Sequence, residues 1–156
     1  MLSQIEQLVE KENIRELKYR YFRGLDTNDW AVFESTMTES CVGLYSDGDV
    51  SFENREEIVS FMKEKLSGER MLTLHHGHHP EIEILDENTA RGTWYLEDTV
   101  LILDAATRLY GTGIYEDRYE KVRGEWKIAH TGYKRLFECV EPLDEKHAVL
   151  KNMFSQ

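Results

Sequence analysis

Leu72-Thr-Leu-His-His-Gly-His-His-Pro-Glu-Ile-Glu-Ile84 packs four of the chain's six histidines into five positions, between two runs that alternate as strands do. After Asp86-Glu-Asn88 the alternation resumes. It places Trp94, Leu96, Val100 and Ile102 on one face and Arg91, Thr93, Glu97 and Thr99 on the other. The two segments, roughly 70–85 and 88–104, read as a long antiparallel hairpin. Two more strand-like segments follow, 108–122 and 125–139, separated by the turn signals Asp104-Ala-Ala and Arg123-Gly124. Strands usually run ~5–6 residues. Strands this long, preceded by helices, predict an α+β fold in which a strongly curved antiparallel sheet wraps one face around N-terminal helices. Such a sheet forms a cone with a cavity inside.

Upstream, Ser3 and Glu6 form a capping box. Ile5, Leu8, Val9, Ile14, Leu17, Tyr21 and Leu25 then recur at helical spacing to about Asp26. Thr27-Asn-Asp restarts a short helix, Trp30 to Met37. Asp47-Gly48 is a hairpin turn between short strands Cys41–Ser46, which carries Tyr45, and Val50–Phe52. Asn54 and Glu57 repeat the capping signature for a third helix with Ile58, Phe61, Met62 and Leu66 on its apolar face, ending at Ser67-Gly68.

A chain of 156 residues with 40% hydrophobic and 31% charged residues suits one domain with one core. The net charge of -11 argues against nucleic acid or an anionic membrane as partner, since both require a surplus of lysine and arginine. No apolar run approaches ~20 residues, and the first residues lack a basic start and apolar core, so a cytoplasmic location is the expectation. Cys41 and Cys139 lack any paired spacing and read as ordinary thiols.

Asp98 falls on the apolar face of its strand, where a carboxylate is costly without a partner. A structural arginine or a backbone group could supply one. A hairpin folded about residues 86–87 instead sets His75 opposite Asp98, provided no bulge intervenes near Gly77 and Pro80. A metal site is the other reading of the histidine run. His76 and His78, two apart, share a face, and Glu81 or Glu83 could complete the set. The cupin pattern nevertheless lacks its glycine here, and later strands before the tail offer only His130. No cofactor and no metal are expected, and His76 and His79 read as solvated or interfacial.

Taken together, Tyr21-Phe-Arg-Gly-Leu-Asp26, Tyr45-Ser-Asp-Gly48, His75-His-Gly-His-His-Pro-Glu-Ile82, Trp94-Tyr-Leu-Glu-Asp98, Tyr119-Glu-Lys-Val with Gly124-Glu-Trp126, and Thr131-Gly-Tyr-Lys-Arg135 resemble the SnoaL-like branch of the NTF2-like superfamily. The nearest likeness is to the bile acid 7-alpha-dehydratase group, with scytalone dehydratase further off. The resemblance implies a domain over 1–140 and a homo-oligomer, trimer or dimer. It also implies His75 and Asp98 as a catalytic dyad, Tyr21 and Tyr45 as hydroxyl donors, and Asp26 as a polar partner. Arg135 is implied as a substrate-orienting residue, and His78 and Trp94 are further pocket candidates. The tail 141–156 reads as a helix closing the cavity or as a segment packed on a neighbour. The implied activity is cofactor-independent dehydration of a hydroxylated steroid-like, polyketide or aromatic compound by His-Asp acid–base chemistry. An isomerase or cyclase with the same pocket, or a non-catalytic small-molecule-binding protein, are the alternatives.

Overall fold

The computed structural model describes residues 2–144, 146 and 148–155. Helix α1 (Gln4–Asp26) opens with the expected reciprocal cap between Ser3 and Glu6 and buries Ile14, Leu17, Tyr21, Phe22 and Leu25. Helix α2 (Trp30–Ser35) is capped by Asp29, and strand β1 (Met37–Tyr45) starts earlier than Cys41. A 3-10 turn over Ser46–Gly48 leads to β2 (Val50–Phe52), after which Asn54 caps α3 (Arg55–Leu66). The long strands β3 (Met71–Ile84), β4 (Thr89–Ile102), β5 (Thr107–Val122) and β6 (Glu125–Pro142) match the expected segments closely.

The six strands form one sheet in the order β2-β1-β6-β5-β4-β3, with β1 parallel to β6 and every other pair antiparallel. Bulges interrupt the register at His78/Glu81, Thr112/Gly113 and Arg118/Tyr119, and each bends its strand. The curved, open sheet holds α1 against its concave face, where Ile14, Leu17 and Tyr21 meet Trp94, Tyr115, Tyr119 and Ile128 in the core. Gly77 belongs to this packing. A Cβ there would lie 2.6 Å from the Phe22 ring, so the glycine inside the histidine run lets α1 approach β3.

Two expectations are corrected here. The described residues of the tail contain turns and no helix, and β6 itself runs through Pro142. The tail returns instead to the α3–β3 loop, where the Asn152 amide donates to the Glu69 carbonyl at 2.7 Å. The β3–β4 hairpin does contain the bulge that the simple register assumed away. Turn-proximal pairs such as Ile84↔Ala90 are centred on residue 87, and the bulge after His78 shifts the centre by half a residue, restoring His75↔Asp98. Among the described residues, no helix is long and apolar enough to cross a membrane.

Candidate active site

Between α1, α3 and the concave sheet lies a cavity of about 180 Å³ whose walls include Tyr21, Tyr45, Thr73, His75, Asp98, Tyr115, Tyr133 and Arg135. Helix α1 ends at its mouth, so Asp26 on the last turn points across to edge strand β3. One carboxylate oxygen of Asp26 meets His75 Nδ1 at 2.6 Å and accepts the Thr73 hydroxyl at 2.8 Å, and the other accepts the His75 backbone N–H at 2.8 Å. The His75 side chain is only 11% exposed and its ring stacks on Phe22. With Nδ1 engaged, Nε2 is the ring nitrogen available to the cavity. The carboxylate fixes the tautomer that carries hydrogen on Nδ1.

The pairing expected for His75 is therefore corrected. Its backbone does sit opposite Asp98, but the Asp98 carboxylate turns to Arg135, which donates to it through both terminal nitrogens, the Nη2 bond being 3.0 Å. Arg135 arrives from β6, two strands away, and crosses β5 at Gly111, the residue paired with Asp98. A Cβ at position 111 would lie 2.7 Å from the Asp98 Oδ1 atom. Gly111 is thus the gap through which the guanidinium reaches. Burial disfavours the charged guanidinium, but hydrogen bonding to Asp98 and nearby negative groups outweigh it and hold the Arg135 pKa above its usual value. Glu138 lies 3.1 Å from Nε as an ion-pair neighbour without hydrogen-bond alignment. Gly111→Ala is expected to break the fork and cost about 1–3 kcal/mol, the usual range for overpacking. Urea denaturation of the variant checks this, and an unchanged midpoint would refute the gap argument.

Tyr21 from α1 and Tyr45 from β1 meet hydroxyl to hydroxyl at 2.8 Å. One O–H of the pair is consumed in that contact, which leaves the other uncommitted within the pair. Burial, reinforced by neighbouring hydroxyls and by Asp117, holds Tyr21, Tyr45, Tyr115 and Tyr119 well above the ordinary tyrosine value, so all four stay neutral donors. A stability consequence follows. Above pH ~10 an unfolded tyrosine loses its proton while these keep theirs, so the folded state binds more protons and stability falls as pH rises. Lys18, whose pKa is lowered by burial against the opposing pull of Asp117, contributes with the opposite sign and offsets part of this. Melting temperatures across pH ~9–11 should drop beyond ~10, with buried tyrosinate absorbance appearing only as the protein unfolds. Ionisation of all eight tyrosines in a folded protein would contradict this burial.

Beneath the cavity floor is a network that the sequence reading missed. Lys18 and Asp117, both fully buried, pair at 2.8 Å, and Asp117 also accepts the hydroxyls of Tyr119 and Thr131 at 2.8 and 2.7 Å. The Lys18 ammonium sits 3.7 Å from the Tyr115 ring centre and 4.5 Å from that of Tyr21, in cation–π contact with both. Trp94 is displaced from its expected pocket role. It is buried in the core, donates to the Tyr119 hydroxyl at 2.9 Å, and does not line the cavity. His78 is corrected as well. Strand alternation puts it on the convex face, where its Nε2 lies 3.2 Å from Glu97.

The cavity, its histidine–carboxylate pair and its hydroxyl donors sit in a fold with many relatives. A family model for the SnoaL-like domain matches residues 6–132. A scytalone dehydratase-like protein from Novosphingobium aromaticivorans is similar with a TM-score of 0.78 at 20% identity, over 85% of this chain and 88% of its own. The hexachlorocyclohexane dehydrochlorinase LinA-type3 from Novosphingobium barchaimii is similar with a TM-score of 0.80 at 15% identity, over 96% of this chain and 100% of its own. Identities this low establish a shared fold. The family-model match, over most of the chain, carries the assignment: the chain belongs to the SnoaL-like family.

Proposed function

We propose that the protein is a cofactor-independent lyase that eliminates water from a small hydroxylated compound, with His75 as the base and Asp26 as its orienting carboxylate. The observation that carries this reading is the His75–Asp26 contact of 2.6 Å at the wall of the cavity. His75 Nε2 takes the proton from a carbon beside a carbonyl. The ring becomes imidazolium facing Asp26 and returns that proton to the departing hydroxyl, so water leaves. The free O–H of the Tyr21–Tyr45 pair donates to the carbonyl oxygen as charge builds there, a role typically worth ~2.7–4 kcal/mol per donor.

The volume narrows the substrate. An engineered cavity of roughly 150 Å³ accommodates benzene, whereas pockets for drug-sized ligands run roughly 300–1,000 Å³. At about 180 Å³ the cavity favours a single-ring or short-chain substrate over a steroid-like one. The dehydrochlorinase likeness extends the proposal to loss of a halide, which needs the base but no proton for the leaving group. Had His75 been exposed beside an Asp98–Arg135 pair, a purely binding role would be favoured. Its enclosure and its separate carboxylate favour catalysis.

The test is a panel of monocyclic β-hydroxy ketones, their β-chloro analogues and a bulky steroid, followed by product mass and NMR. Loss of 18 mass units from the monocyclic hydroxy compounds, with the steroid inert, is the expected result. A product of unchanged mass with the carbonyl or hydroxyl moved would replace elimination with isomerisation.

A further inference from the structure

The convex face of the sheet, turned away from the cavity, carries a second cluster. His76 and His78 project from edge strand β3 on the side opposite His75, and Glu97 projects from β4, where it is the direct cross-strand partner of His76. One ligand atom from each of the three lies within 4.8 Å of the others. Ligands shared by one ion at ~2.0–2.2 Å stand roughly 3–3.5 Å apart, so small side-chain rotations close the set. Glu97 is already oriented for this. Its Oε1 accepts the Tyr110 hydroxyl at 3.2 Å, while its Oε2 faces His78 Nε2 at 3.2 Å. A hydrogen bond that fixes a ligating carboxylate from behind is the usual support of a metal site.

We propose that His76, His78 and Glu97 bind a divalent first-row transition-metal ion on the convex face, clipping edge strand β3 to β4. Two imidazoles and one carboxylate select zinc, cobalt, nickel or copper over magnesium or calcium, which prefer all-oxygen sets. The remaining coordination positions face solvent, because the His78 and Glu97 side chains are 41% and 45% exposed. The net charge of -11 draws cations to the surface. Along the strand itself the sequence offers Glu81 or Glu83 as a third ligand. The pairing of β3 with β4 supplies Glu97 instead. The site lies across the sheet from His75, one rung along the same β3–β4 ladder.

Equilibrium dialysis of untagged protein against Zn²⁺ or Co²⁺, with melting temperature as a second readout, tests the site. One equivalent is expected to bind saturably and to raise the melting temperature, since an ion held only by the folded state stabilises it. His76→Asn, His78→Asn and Glu97→Gln should each weaken binding by about tenfold or more, and Tyr110→Phe by a smaller factor. His79→Asn should bind as wild type. The absence of saturable binding of both ions, full binding by a His76→Asn/His78→Asn double variant, or loss of binding in His79→Asn would each overturn the assignment. Circular dichroism of these exposed-face variants confirms that they are folded.

Discussion

His75→Ala lowers turnover of the elimination substrate by about 10²–10⁴-fold, the span that a positioned general base supplies. Asp26→Asn produces a loss of the same order, because an amide cannot enforce the tautomer with hydrogen on Nδ1 or face the imidazolium with a negative charge. The double variant is little worse than either single one, since the two residues act as a unit. Asp98→Asn separates this arrangement from the alternative that strand pairing alone suggests. Its carboxylate is engaged by the Arg135 fork, so its loss should appear chiefly as reduced stability. If Asp98→Asn abolished turnover while Asp26→Asn left it intact, the assignment of the orienting carboxylate would be reversed. Kinetics on all four proteins, with the folded state checked by circular dichroism, decides the matter.

Lys18→Met destabilises the protein by about 3–5 kcal/mol, the cost of stranding one member of a buried ion pair. Asp117 would keep its bonds from Tyr119 and Thr131 but lose its counter-charge in a site where both side chains are fully buried. For a chain of this size each kcal/mol shifts the melting temperature by roughly 2–4 °C, so a fall on the order of 10 °C is expected. Lys18→Met with Asp117→Leu should recover only part of the loss, because it removes the uncompensated carboxylate but strands the hydroxyls of Tyr119 and Thr131. A single variant as stable as wild type would mean that the pair carries no stabilising role. Urea denaturation of the single and double variants gives the comparison directly.

The elements were legible because their signals are local. A capping box at Ser3 and an N-cap at Asn54, apolar periodicity along α1 and α3, and turn residues between the long strands set the element boundaries to within a few residues. Even Lys18 and Asp117 left a trace. Each is a charge at an apolar position, Lys18 beside Leu17 and Tyr21 on the helix stripe and Asp117 in step with Tyr115 and Tyr119 on its strand. Read as a pair, they would have been the best candidates for a buried ion pair.

The sequence by itself determined the α+β class, the strand hairpins and the family likeness. These depend on neighbours near in sequence, where the periods of 3.6 and 2 say which side of an element a residue occupies. Only the tertiary structure decided which charge meets which. Asp26 reaches His75 because the end of α1 lands on β3. Arg135 reaches Asp98 because Gly111 leaves a gap in β5, and Glu97 joins His76 and His78 because β4 lies beside them. Side-chain partners are chosen by length, direction and open space across elements far apart in the chain, and pattern along a single strand carries none of that information.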